Sequence, residues 1–92
     1  MFKILVIDDD KNTRYFLKEV LELQRFEVLT AEDGLKGFDI LENEKVDLVI
    51  VDIMMPNMDG YSFTKEIRRL NSDLPILMIS AKQLRSMSRK TG

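Results

Sequence analysis

The most informative feature of this sequence is a pair of short apolar runs, each of which ends in aspartate. These runs limit the possible folds more than any other feature. Residues 3–7 run into Asp8 and Asp9, and residues 47–51 run into Asp52. Runs that are apolar without alternation are typical of strands buried on both faces, as in parallel sheets. If the two runs are neighbouring parallel strands, the three carboxylates meet at one edge of the sheet.

Segments with helical periodicity separate four strand-like segments. The expected strands are residues 3–7, 26–30, 47–51 and 75–79, and the expected helices are residues 11–24, 33–43 and 61–70. Strands joined by helices need crossover connections, which predict an α/β fold with a doubly wound parallel sheet. Ligands bind such sheets at the carboxyl ends of the strands. Four polar residues directly follow a strand and are expected at that edge: Asp8, Asp9, Asp52 and Ser80.

The helical periodicity also predicts which side chains face the core. These are Phe16, Leu17, Val20 and Leu21 in the first helix, Leu35, Phe38 and Leu41 in the second, and Phe63, Ile67 and Leu70 in the third. Asp10 or Asn12 is expected to cap the first helix. Gly37 lowers the helix propensity of the second helix by about 1 kcal/mol.

Composition narrows the possible chemistry. The 92 residues suffice for one domain, and the chain contains neither cysteine nor histidine. Disulfides, thiolate metal sites, imidazole ligands and histidine-dependent triads are therefore excluded.

No signal peptide or membrane-spanning run is evident, so the cytoplasm is the expected location. The net charge is −2, yet residues 82–92 hold four basic and no acidic groups; an acidic body with a short basic tail does not predict nucleic-acid binding.

Three clustered carboxylates repel one another unless a cation joins them. Without histidine or cysteine the ligands are oxygens, which suit a hard cation such as Mg²⁺. One carboxylate could then act as a nucleophile towards a phosphoryl group, while the hydroxyl of Ser80 donates to a phosphoryl oxygen. Acids after strands also serve as helix caps. The cap is the favoured interpretation for Asp10, and the site is favoured for Asp8, Asp9 and Asp52.

Four segments of the sequence resemble response-regulator receiver domains. They are Ile-Leu-Val-Ile-Asp-Asp-Asp at 4–10, Asp-Gly at 33–34, Val-Asp-Ile-Met-Met-Pro-Asn-Met-Asp-Gly at 51–60 and Ile-Ser-Ala-Lys at 79–82. The third segment is the most specific, because it is similar to the family's phosphorylation-site segment along its whole length. The resemblance runs over residues 3–82 and implies a flavodoxin-like sheet.

The resemblance also implies a role for each site residue. Asp52 would be the phosphoacceptor, and Ser80 would be the hydroxyl that couples phosphorylation to a change of shape. Mg²⁺ would be bound by the side chains of Asp9 and Asp52, assisted by Asp8, and by the backbone carbonyl of Met54. The phosphodonor would be a sensor histidine kinase, which makes the chain a signalling module of a two-component system and not an enzyme.

The resemblance ends at Lys82, so residues 1–82 are expected to form a C-terminally truncated receiver domain and residues 83–92 a disordered or non-native tail. The family continues through a fifth strand that carries a lysine and an aromatic switch residue, for which this sequence has no matching position. The expected sheet order 2-1-3-4-5 thus becomes 2-1-3-4, and phosphorylation is expected to be impaired. Arg25 replaces the glycine that usually follows the first helix, which predicts a strained turn.

Loss of the fifth strand would leave the fourth as a bare edge and would uncover apolar surface. A homodimer, or an assembly that exchanges elements, is therefore expected. The alternative function is a structural or assembly fragment that has the family's shape and no working switch. A flavin- or nucleotide-binding domain fits poorly, because aspartates after the first strand would repel a phosphate.

Overall fold

A computed structural model of the chain describes residues 1–53, 55, 60–71 and 73–80. Strands and helices alternate over these residues. The strands are β1 (Lys3–Ile7), β2 (Glu27–Ala31), β3 (Leu48–Asp52) and β4 (Ile76–Ile79), and the helices are α1 (Lys11–Leu23), α2 (Gly34–Asn43) and α3 (Gly60–Leu70). Each bound lies within one residue of its predicted position. The predicted tail, residues 83–92, lies outside the described residues.

The described strands form one parallel sheet in the order β2-β1-β3-β4, which confirms the predicted order. β1 pairs with β2 and β3, and Ile7 stands opposite both Ala31 and Val51. Asp52 stands opposite Ile79 in the β3–β4 pair. This register brings the carboxyl ends of β1, β3 and β4 to one edge of the sheet.

Each face of the sheet carries its own apolar core. On one face, residues of β1 and β3 such as Leu5 and Val49 pack with Phe63 and Ile67 of α3, and the rings of Phe38 and Phe63 lie 4.8 Å apart. Leu17 and Leu21 of α1 cover the opposite face, where Ile4, Val6, Val28 and Ile50 are buried. The inward assignments of Phe63, Ile67, Leu17 and Leu21 are confirmed.

Four of the predicted inward side chains are exposed. Phe16 and Val20 of α1 are 55% and 40% exposed, Leu35 of α2 is 76% exposed, and Leu70 of α3 is 72% exposed. Phe16 and Val20 each precede a packed leucine by one residue, which rotates them about 100° away from the contact stripe. Leu35 and Leu70 lie in the first and last turns of their helices. The assignment of these four residues to the core was therefore wrong.

Gly37 lies where α2 approaches the sheet most closely. A Cβ atom at this position would lie 2.6 Å from Cδ1 of Ile7 and 3.3 Å from Cζ of Phe63. Both of those side chains are fully buried. The glycine therefore costs helix propensity and in return lets α2 pack directly on β1.

The turn after α1 is a Schellman motif with an arginine in its left-handed position. The Phe26 N–H donates to the carbonyl of Leu21 (3.3 Å), and the Arg25 N–H donates to that of Glu22 (2.9 Å). Arg25 has φ 68°, a conformation that glycine adopts without strain. The left-handed φ of this non-glycine residue supports the predicted strain.

Replacing Arg25 with glycine is expected to raise the free energy of unfolding by about 0.5–1 kcal/mol. Relief of the left-handed strain is worth roughly 1–2 kcal/mol, and the greater entropy of glycine in the unfolded chain offsets part of it. Urea unfolding measures the change. The matched control is Gln24→Gly, because Gln24 has φ −90° and glycine should there lower stability. Equal effects of the two substitutions would contradict the prediction.

Candidate functional site

The ends of β1 and β3 bring three carboxylates together. Asp8 directly follows β1, and Asp52 is the last residue of β3. Asp8, Asp9 and Asp52 each offer an oxygen, and these oxygens all lie within 4.8 Å of one another. Asp8 is fully buried, Asp52 is 3% exposed and Asp9 faces solvent. The predicted meeting of these acids at one sheet edge is therefore present in the structure.

Asp8 is held through both its backbone and its side chain. Its N–H donates to the carbonyl of Ala31 at the end of β2 (3.1 Å). Its Oδ1 accepts from the backbone N–H of Asp10 (2.8 Å). Its backbone carbonyl accepts from Nη1 of Arg14 (2.7 Å). These contacts restrict the orientation of the carboxylate.

Asp10 caps α1, as predicted. Its Oδ2 accepts from the backbone N–H of Thr13 (3.0 Å) and from the Thr13 hydroxyl (2.6 Å). Thr13 is buried, which protects both hydrogen bonds from water. The third acid of the run therefore caps the helix, and the first two belong to the acid cluster.

Ser80 is half-buried and follows β4 directly. Asp52 pairs with Ile79, and the N–H of Ile53 donates to the Ile79 carbonyl (2.9 Å). These contacts set Ser80 at the same sheet edge as Asp52, one strand away. Met54, expected to contribute its backbone carbonyl, lies outside the described residues.

The acid cluster fits a small hard cation. Mg²⁺ binds oxygens at about 2.0–2.1 Å, so two of its ligands lie at most about 4.2 Å apart. The carboxylate oxygens already lie within 4.8 Å of one another. Because adjacent ligands of octahedral Mg²⁺ lie about 3.0 Å apart, side-chain movements of about 1–2 Å would close the cluster around the ion.

Arg14 is a residue of this region that sequence analysis missed. Its guanidinium contacts the loop that carries the acids, and its positive charge also acts on Lys36 at the start of α2. The ion pair of Lys36 with Glu32 raises the pKa of Lys36, chiefly through their hydrogen bond, and Arg14 opposes this shift. The sequence did contain a signal that could have indicated this role: a basic residue lies one turn into the helix that follows the acids.

The family model of the response regulator receiver domain matches residues 4–91. The chain belongs to the response-regulator receiver family. The match extends past Lys82, where the resemblance based on motifs ended. Among curated relatives, the response regulator MprA of Mycobacterium sp. (strain KMS) is 38% identical over 80 residues, which are 87% of this chain and 35% of that protein. The receiver chain thus spans about a third of the length of the curated relatives it matches.

Solved structures agree with this assignment. The response regulator TrrA of Thermotoga maritima, in complex with Mg²⁺-BeF, is 40% identical with a TM-score of 0.84, covering 88% of this receiver chain and 70% of that one. TrrA in complex with the histidine kinase ThkA matches with a TM-score of 0.83 at the same identity and coverage. The flavodoxin-like fold predicted from the sequence is confirmed. Within the described part of the receiver, each helix is too short or too polar to cross a bilayer.

Proposed function

We propose that this receiver domain accepts a phosphoryl group on Asp52 from a histidine kinase and that Mg²⁺ assists the transfer. The observation that carries the proposal is the cluster of Asp8, Asp9 and Asp52, whose oxygens lie within 4.8 Å of one another at the edge where ligands bind such sheets. The TrrA structures support it, since that relative was solved with Mg²⁺-BeF and with a histidine kinase.

Each residue of the cluster has a proposed role. The Asp52 carboxylate attacks phosphorus and forms an acyl phosphate, and the bond from phosphorus to the kinase imidazole breaks. The electron pair of that bond remains on the imidazole nitrogen. The cation would be held by the side chains of Asp9 and Asp52, assisted by Asp8, and by the backbone carbonyl of Met54. Bound Mg²⁺ supplies charge neutralisation for the phosphoryl oxygens.

Ser80 is proposed as the hydroxyl that donates to a phosphoryl oxygen on Asp52. Its position at the end of β4, next to the partner of Asp52, supports this role. A hydrogen bond formed only after phosphorylation would shift β4 and the chain that follows it. The receiver would then act as a phosphorylation-dependent switch and not as an enzyme.

Incubation with a small-molecule phosphodonor and Mg²⁺ is expected to add one phosphoryl group to the chain. Intact-mass spectrometry would measure the adduct, and removal of Mg²⁺ with a chelator should reduce its yield at least tenfold. Asp52→Asn should abolish the adduct, because the amide is a poor nucleophile. Asp39→Asn is the matched control, since Asp39 is an exposed acid remote from the cluster. An adduct that persists in Asp52→Asn would disprove the assignment.

An assembly module without a working switch is the second candidate function, and the surface of β4 favours it. β4 is the outer strand of the described sheet, and its Leu77 and Met78 are 51% and 39% exposed. Phe16 and Val20 of α1 are also exposed. A homodimer, or an exchange of elements between copies, would cover such apolar surface.

The assembly proposal predicts a dimer at tens of micromolar concentration, measured by light scattering after size-exclusion chromatography. Leu77→Glu should return the chain to a monomer, because a charge on the outer strand opposes edge pairing. Leu35→Glu is the control, since Leu35 is also an exposed leucine, at 76%, but lies on α2. A parent chain that is monomeric at this concentration would contradict the proposal.

A further inference from the structure

Arg14 contacts the peptide group that joins two of the clustered acids. Its Nη1 donates to the backbone carbonyl of Asp8 over 2.7 Å. That carbonyl belongs to the Asp8–Asp9 peptide plane, so its direction sets where the chain leaves the end of β1. The contact therefore bears on how Asp9 is presented, although Arg14 itself lies one turn into α1.

We propose that Arg14 is a positioning residue for the metal site, which orients the Asp8–Asp9 peptide so that the Asp9 carboxylate meets the other two acids. The assignment rests on the proposed function, since it concerns the same Mg²⁺ site. It adds to the site a basic residue that does not itself bind the metal. Arg14 would act on the ligands through its hydrogen bond to the backbone of Asp8.

Asp8 and Asp9 differ in the contacts that restrain their side chains, and this difference favours a positioning role for Arg14. Asp8 is fully buried and is fixed by the N–H of Asp10 and by the carbonyl of Ala31. Asp9 is exposed, so packing does little to restrict it. Its carboxylate depends mainly on the direction of its own backbone, which the Arg14 contact to the preceding carbonyl restrains. Partners that orient metal ligands typically contribute 10–100-fold to metal affinity.

If Arg14 acts only through its charge, its removal should change the Mg²⁺ affinity in one direction. If Arg14 positions the acids, its removal should change the affinity in the opposite direction, so the proposal can be tested. A positive charge near the acids weakens the binding of a cation, so its removal should tighten Mg²⁺ binding if only charge matters. Removal of an orienting contact should instead weaken Mg²⁺ binding. Lys18 offers a matched comparison, because it lies on the same helix, lines the same hollow as Arg14 and donates to a backbone carbonyl, that of Val28 (3.4 Å).

The experiment measures the Mg²⁺ dissociation constant of the full chain by isothermal titration calorimetry, with urea unfolding in the absence of Mg²⁺ as a separate measure of stability. We expect Arg14→Gln to bind Mg²⁺ about tenfold more weakly. Lys18→Gln should bind as the parent does or up to twofold more tightly. Arg14→Lys should weaken binding at least threefold, because an ammonium keeps the charge and loses the planar geometry of the guanidinium.

An Arg14→Gln chain that binds Mg²⁺ as tightly as the parent, or more tightly, would overturn the assignment. If Arg14→Gln does not fold by far-ultraviolet circular dichroism, Arg14→Lys decides: weaker binding supports positioning, and binding equal to the parent overturns it. Equal weakening in Lys18→Gln would also overturn it, since that contact is remote from the acids. A parent chain that binds no Mg²⁺ would overturn the proposed function and this assignment together.

Discussion

Phe63→Ala is expected to lower the free energy of unfolding by about 3–5 kcal/mol, the range for a large aromatic side chain removed from a core. Phe63 is fully buried on α3, and its ring lies 4.8 Å from that of Phe38. The loss is a large share of the 5–15 kcal/mol by which domains are usually stable. Urea unfolding followed by circular dichroism measures it.

Two variants control for this effect. Phe63→Leu keeps most of the buried volume and should cost about 1–2 kcal/mol. Leu70→Ala removes an apolar side chain from the same helix, and because Leu70 is 72% exposed it should change stability by less than about 0.5 kcal/mol. A loss below about 2 kcal/mol in Phe63→Ala would show that the core refills the space.

Phe63→Ala should also affect the acid cluster, because Phe63 belongs to the core that packs beneath it. Phe63 and Ile7 both lie within 3.4 Å of the space that a side chain at Gly37 would occupy. Ile7 immediately precedes Asp8, so a cavity at Phe63 loosens the strand end that carries the first acid. Mg²⁺ affinity should therefore fall in Phe63→Ala and stay unchanged in Leu70→Ala.

The acid cluster could be predicted from the sequence because strand ends leave few alternatives. Runs without alternation indicate buried parallel strands, and parallel strands align their carboxyl ends, so Asp8 and Asp52 had to meet if β1 and β3 were neighbours. The cap at Asp10 could also be predicted, since its position before a helix is a local property. The cap needed only the order of residues along the chain, whereas the meeting of the acids also needed the strand order that the family resemblance implied.

Helix faces and close approaches could not be predicted so well, because they depend on where each helix lies on the sheet. The period that correctly buries Phe63 and Ile67 also assigns Leu70 to the core, yet the helix ends there and its last turn is exposed. Gly37 was seen only as a cost in propensity, since its contact with Ile7 joins elements 30 residues apart in the sequence. Arg14 was missed for a different reason: its partner is a backbone carbonyl, which the residue types do not reveal.

Repulsion among the acids should make the chain more stable when one of them is neutral. At 4.8 Å and an effective dielectric constant of 20, two carboxylates repel by about 3 kcal/mol. Asp8→Asn removes this repulsion and keeps an oxygen that can accept from the Asp10 N–H. Because the new amide group must itself be accommodated in a buried position, we expect a net gain of about 1–3 kcal/mol in the absence of Mg²⁺.

Mg²⁺ should reduce this difference in stability. A ligand at ten times its dissociation constant stabilises the folded chain by about 1.4 kcal/mol, and the parent should gain that amount. Asp8→Asn should gain less than half of it at the same Mg²⁺ concentration, since one ligand oxygen has lost its charge.

Asp39→Asn, which removes an exposed acid outside the cluster, should respond to Mg²⁺ as the parent does. Urea titrations with and without Mg²⁺ measure all three chains. If Asp8→Asn is less stable than the parent without Mg²⁺ and still gains the full increment with it, the cluster is neither strained nor the site of the metal.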